Sequence, residues 1–147
     1  MDADADIGAA ARNEPAPDND AVRALLARLA GALTSGDGKA AASLWGTPAF
    51  VLGDELALTV GSSADIQDVF GGAQAHYAAR GIVGTRPDIL RLDWLTHRLA
   101  IVEVRWPYLA ADGDELGEET STYLIRREPD GRLAIRAAVM HGEAAPH

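Results

Sequence analysis

Apolar positions first recur at helical spacing. Val22, Leu25, Leu26, Leu29 and Leu33 fall on one face of a segment starting near Asp20, with Arg23 and Arg28 on the other. Asn19 or Asp20 can cap the free N–H groups of this first helix, and Ser35-Gly36 ends it. A short second helix is predicted over 37–45, its apolar edge formed by Ala41, Leu44 and Trp45, with Thr47-Pro48 as the stop. Phe50-Val51-Leu52 and Leu56 to Val60 read as two strands turning through Gly53-Asp54. Ser62 and Asp65 then open a third helix with Ile66, Val69, Phe70, Ala73 and Tyr77 on one side, closed by Gly81.

Beyond Gly81 the period drops to two. Leu90, Leu92 and Trp94 alternate with Arg91 and Asp93, and Val102, Val104, Trp106 and Tyr108 alternate with Glu103 and Arg105. Asp112-Gly113 turns the second of these strands into a third carrying Tyr123 and Ile125. Asp130-Gly131 turns the third into a last strand with Leu133, Ile135 and Val139 on one side. The expected result is an antiparallel meander whose apolar face receives the helices, an α+β domain over 19–142. Residues 1–18 alternate Asp with Ala and end in Pro15-Ala16-Pro17, which offers no apolar face to offset ordering entropy, so a disordered acidic tail is expected there, with 143–147 a disordered C-terminus.

The chain of 147 residues carries a formal charge of −9, and six acids (Asp2, Asp4, Asp6, Glu14, Asp18, Asp20) against Arg12 place most of that excess in the first twenty positions. A phosphate backbone would be repelled over most of such a surface, which argues against nucleic acid as a partner. Without cysteine there is no disulfide, thiolate nucleophile or cysteine-based metal site. No apolar stretch approaches the roughly 18 residues of a membrane span, and with no basic-then-apolar start the expected location is cytoplasmic. A single lysine, Lys39, among many arginines and alanines suggests a GC-rich bacterial genome.

The element order, helix, short helix, hairpin, helix and four-stranded meander, resembles the NTF2-like superfamily, also called SnoaL-like or ketosteroid-isomerase-like. Ser35-Gly36-Asp37 leading to Trp45, Pro48 and Phe50 is similar to that family's entry. Thr122 to Arg127 followed by Asp130-Gly131-Arg132-Leu133-Ala134-Ile135 is similar to its terminal hairpin, with Leu133 where tryptophan is frequent. The resemblance spans roughly 20–142 and implies a cone: a curved antiparallel sheet wrapped around three helices, with a pocket at the open end. Such families include isomerases, dehydratases, cyclases and hydrolases beside members that only bind, so the fold alone assigns no function.

If the apolar faces point inward, Trp45, Phe50, His76, Tyr77, Trp94, Trp106 and Met140 are candidate ligand-lining residues, and His141, Tyr108 and Tyr123 candidate catalytic ones. Packing alone accounts for most of the aromatics. His141 continues the phase of Leu133, Ile135 and Val139, and an imidazole there could shuttle a proton; the alternative is a strand-end histidine bonded to backbone. Glu103 and Asp93 fall out of phase and belong on the outer side, whereas one of Glu118 and Glu119 must point inward. No position matches the family's acid-base pair. Gly36-Asp37-Gly38-Lys39 lacks the pattern of a phosphate loop, Asp112-Gly113-Asp114-Glu115 that of a calcium loop, and no metal or cofactor motif occurs. Three readings result: a binder of small apolar organic molecules, an isomerase-, cyclase- or dehydratase-type enzyme using His141, and a homodimer joined through the outer sheet face by charges such as Glu103 and Arg105.

Overall fold

The computed structural model describes residues 17–70 and 73–143. The tail expected over 1–18 lies outside them up to residue 16, and so does the C-terminus from residue 144. The elements run α1 (Pro17–Ser35), α2 (Gly38–Ala42), β1 (Trp45–Gly53), β2 (Leu56–Val60), α3 (Ser63–Phe70), α4 (Ala73–Ala79), β3 (Asp88–Trp94), β4 (Leu99–Leu109), β5 (Glu115–Arg127) and β6 (Leu133–Glu143). All six strands form one open, curved sheet in the order β2-β1-β6-β5-β4-β3. The meander β3 to β6 is antiparallel throughout, as its periodicity predicts. The β1–β2 hairpin joins it because β1 lies parallel to β6.

The helix α1 buries Val22, Leu25, Leu26, Leu29 and Leu33, the predicted stripe, against the inner face of the sheet. Each such side chain contributes roughly 1.5–3 kcal/mol when fully buried. The helix begins at Pro17, ahead of the expected caps, since proline suits a first turn whose N–H groups have no helical partner anyway. Asn19 serves instead as acceptor for Trp94 Nε1 at 2.8 Å, and Asp18 pairs with Arg127 at 2.6 Å. These contacts pin the first turn of α1 onto β3 and β5. The helix α2 stops at Ala42, three residues short of the predicted end, with Asp37 Oδ1 accepting from Ala40 N at 2.9 Å. The predicted third helix corresponds to α3 and α4, with residues 71 and 72 between them outside the described residues.

Strand parity decides which side chains reach the interior. On β4, Val102, Val104, Trp106 and Tyr108 are all 3% exposed or less, whereas Glu103 and Arg105 lie on the opposite face. The inner face is therefore organised in rows across the sheet. One row holds Trp94, Ala100, Ile125, Ile135 and Trp45; the next Leu92, Val102, Tyr123, Ala138 and Val51. Two bulges shift this parity where regular alternation predicted otherwise. Leu90 is an extra residue between the pairs Ile89–Val104 and Arg91–Glu103, so it is exposed rather than part of the apolar face. Arg136 is extra between Ile135–Ile125 and Ala137–Leu124, so Ala138 and Met140 turn inward while Val139 turns out.

Around that second bulge a charged cluster fixes three strands together. Glu128, 9% exposed, accepts from Arg126 Nη1 at 2.7 Å and from Arg136 Nη1 at 2.9 Å. Arg136 Nε also donates to the Pro48 carbonyl at 3.0 Å. Gly46 runs directly beneath them: a Cβ there would press on Glu128 Oε1 and lie 2.7 Å from Arg136 Cδ. Gly46→Ala is therefore expected to lower stability by about 2 kcal/mol through overpacking. Urea unfolding of the two chains measures it, and an unchanged midpoint would show the cluster to be adaptable.

Candidate functional site

The aromatic side chains gather where β4 and β5 run toward their shared hairpin. Trp106 and Tyr123 are buried, and Trp106 Nε1 donates to the Tyr123 hydroxyl at 3.1 Å, with their rings edge to face at 6.3 Å. From α4, Tyr77 brings its ring to 5.8 Å from that of Tyr108. Arg80 follows one turn later and holds its guanidinium 5.1 Å from the centre of the Tyr108 ring, within cation–π range. Tyr108 lies against Gly117 on β5, where φ is +156° and a Cβ would stand 3.3 Å from its ring. Glycine at 117 thus gives the phenol its seat.

Parity also settles which of the paired glutamates turns inward. Glu119 is opposite Trp106 and in phase with Ser121 and Tyr123, whereas Glu118 accepts from Arg105 Nε at 2.9 Å on the outer face. Ser121 is buried and donates toward Met140 Sδ at 3.8 Å. The inner end of β4–β5, with Tyr77 and Met140 against it, therefore combines aromatic rings, a thioether, three phenols and one carboxylate. Burial raises the Tyr123 pKa above that of an ordinary phenol, its hydrogen bonds with Ser121 and Trp106 opposing the shift in part and the nearby Glu119 charge adding to it. The phenol stays protonated at neutral pH and can donate or accept a hydrogen bond but cannot act as a base.

Of the ten candidate residues, Tyr77, Trp106, Tyr108, Tyr123 and Met140 share this region. Trp45 is buried and Trp94 half-buried in the row at the opposite end of the sheet, where Arg127 stacks over Trp94 at 5.5 Å. Three expected inward placements are not observed. Phe50 is 47% exposed because the ladder between β1 and β6 is irregular between Trp45 and Phe50, and Ala49 and Val51 take the inner positions. His76 is exposed, its ring tilted 53° to that of Tyr77. His141 is an extra residue between the pairs Ser121–Met140 and Thr120–Gly142, and its exposed ring hydrogen-bonds the Thr122 hydroxyl at 2.8 Å on the outer side. Sequence periodicity could not show the Arg136 bulge upstream, which reverses the phase on which its inward placement rested. Glu119, Arg80 and Ser121 join the site beyond the residues that periodicity identifies; the strand phase of Tyr123 is the signal that locates the first and third.

Elsewhere, the outer face carries a saturated charge network. Arg105 donates to Glu118, to Asp88 at 2.9 Å and to Glu115, and Arg86 donates to Asp88 at 3.0 Å and to Glu115 at 2.8 Å. Those guanidiniums hold the Glu115 pKa below the ordinary carboxylate value. Arg105 is thus occupied by acids of its own chain rather than presented to a second molecule. A surface depression of about 480 Å3 lies between α1 and β3, lined by Arg23, Pro87, Asp88 and Ile89. Among the described residues no three His, Asp or Glu side chains are grouped to hold a metal ion, and no helix is long and apolar enough to cross a membrane.

A curved open sheet with helices against its inner face defines an α+β protein of the cystatin-like and NTF2-like class. A family model described as NTF2-like protein (DUF6841) matches residues 18–143, and the chain belongs to that family. Solved structures agree in fold. A domain of unknown function with a cystatin-like fold from Nostoc punctiforme is 16% identical, with TM-score 0.67 over 90% of this chain and 81% of that one. A ketosteroid isomerase-like protein from Erwinia carotovora atroseptica is 11% identical, with TM-score 0.63 over 86% and 96% of the two chains. A putative calcium/calmodulin dependent protein kinase II association domain from Xanthomonas campestris is 17% identical, with TM-score 0.59 over 86% of each. No curated protein matches the sequence.

The Tyr123 environment has a measurable consequence. Because its folded-state pKa is raised, the unfolded chain releases the phenolic proton first, and stability that is complete below about pH 10 declines as pH rises further. The slope from this one group is about 1.4 kcal/mol per pH unit. Tyr123→Phe is expected to lose about 1–3 kcal/mol at pH 7 by stranding Trp106 Nε1, yet to decline less steeply above pH 10. Parallel alkaline unfolding curves for the two proteins would contradict this account.

Proposed function

We propose that the protein binds a small apolar organic molecule at the inner end of β4–β5, against Tyr77, Trp106, Tyr108, Tyr123 and Met140. The observation that carries this reading is the convergence of four aromatic rings there with a few hydrogen-bonding groups, the composition expected of a ligand site. The enzymatic alternative would have to run on Glu119, Tyr108 and Tyr123, since His141 faces away from them. An acidic chain without cysteine fits a cytoplasmic setting for such a role.

A panel of hydrophobic ligands should contain some that raise the thermal midpoint. A ligand present at 100 times its Kd adds about 2.7 kcal/mol to the native state. Tyr108→Ala should abolish that rise while the chain remains folded. A panel without effect on the native chain would remove the basis of the reading.

A second reading, a homodimer through the outer sheet face, has its own support. Phe50, Leu52, Leu124 and Val139 are 37–47% exposed and lie in adjoining rows of β1, β6 and β5. Apolar contact there replaces the Glu103 and Arg105 pairing that the sequence suggested. Phe50→Asp should shift a dimer to monomer in sedimentation while leaving the monomer folded, because residue 50 is on the outside already. An unchanged sedimentation profile would exclude this face.

A further inference from the structure

The two edges of the sheet are unlike. The edge strand β3 carries Asp88, Arg91 and Asp93 and follows Pro87, features that discourage another strand from pairing. The other edge, β2, reads Leu56-Ala57-Leu58-Thr59-Val60 without one charge or proline. Among the described residues it pairs with β1 alone, and Leu56 and Leu58 are 42% and 40% exposed. An uncharged, apolar strand with an open ladder is the feature that natural sheets usually blunt.

We propose that β2 is a self-association edge, on which the β2 of a second copy adds antiparallel about a twofold axis to make one continuous sheet. The hydrogen-bond alternation permits one central register. Gly53 and Leu56 close a two-residue hairpin and exchange bonds with each other, so Leu56, Leu58 and Val60 turn their backbone groups toward β1. Ala57 and Thr59 then turn theirs outward. In a twofold pairing centred on Leu58, Ala57 of each copy bonds Thr59 of the other, which satisfies these outward groups reciprocally. The same register sets Leu58 beside its symmetry mate and Leu56 beside Val60, covering the two exposed leucines on the inner side.

Charge agrees with a second copy as occupant. The acids Asp54 and Glu55 precede β2, while Gly61, Ser62 and Ser63 follow it. Antiparallel pairing in this register places Glu55 opposite Gly61 and Asp54 opposite Ser62, so no like charges meet. A partner of any other sequence would need the same uncharged, alternately apolar strand; this chain supplies one by symmetry. The edge is distinct from the outer face and from the aromatic end, so the inference stands independently of both readings above.

Thr59→Pro tests the inference in the full-length chain. Proline is tolerated on an edge strand when the N–H it removes points away from the neighbour, as that of Thr59 does. The wild-type chain is expected to sediment as a dimer or larger even-numbered oligomer whose Ala57 and Thr59 amides lose exchange protection on dilution. Thr59→Pro should weaken this association by about a hundredfold, because two symmetry-related bonds are lost and their carbonyls stranded. Thr59→Val, which keeps the N–H, should not. Leu58→Lys, at an exposed position, provides a second disruption should the proline variant fail to fold. The inference is overturned if the wild type is monomeric at high concentration, or if a folded Thr59→Pro or Leu58→Lys chain associates as the wild type does. It is equally overturned if Phe50→Asp alone abolishes association.

Discussion

The two-residue alternation of β4 is the constraint on which the remaining structure depends. With Val102, Val104, Trp106 and Tyr108 on one side, the sheet gains an apolar inner face against which Leu25, Leu26 and Leu29 of α1 can bury. A slip of one residue would exchange this row for Glu103 and Arg105 and leave two unneutralised charges facing leucines. Such an exchange would also remove Arg105 from the acids that surround it. Register is thus enforced from both faces at once: by apolar burial inside and by saturated charge outside.

The same alternation separates the inner face into ends of different chemistry. At the row of Trp45, Ile135, Ile125 and Trp94 the polar groups tie the first turn of α1 to the sheet through Asn19. At the other end, Tyr108, Tyr123 and Ser121 place hydroxyls among rings, with Glu119 in phase with them. Burial keeps the Tyr123 phenol protonated at neutral pH, so that it serves there as a donor and acceptor of hydrogen bonds. Recognition of an organic molecule asks for that combination of apolar area and few oriented polar groups.

The element order and the inward row of β4 were legible in the sequence because both rest on long periodic runs. The α1 stripe and the β3–β6 meander follow from Leu and Val spacing alone. The placements of His141 and Leu90 were not legible, and the reason is common to both. A single extra residue, Arg136 before His141 and Leu90 itself, reverses side-chain parity without leaving a mark on composition. Phe50 fails in a related way, since a parallel pairing between β1 and the distant β6 fixes its phase and cannot be inferred from neighbours in sequence. His76 reads as inward from its spacing after Val69, whereas α4 brings Tyr77 toward Tyr108 and leaves His76 exposed. Glu119 was half legible: parity required one of two adjacent acids inside, and only the register with Trp106 decides which.

Surface chemistry divides along the strand order in a way that bears on assembly. From β3 to β5, the outer face is occupied by Arg86, Arg105, Asp88, Glu115 and Glu118, which satisfy one another and would each have to surrender a partner to meet another molecule. Such a network resists burial, because desolvating paired charges costs more than a new contact returns. From β6 to β2 the outer positions are Val139, Leu52 and Phe50, and the terminal strand has no charge at all. Water is released without a compensating loss only on that second half. Association through the saturated half would have to disrupt the network that holds β4 in register, so the half of the sheet that secures the fold is also the half least suited to a partner.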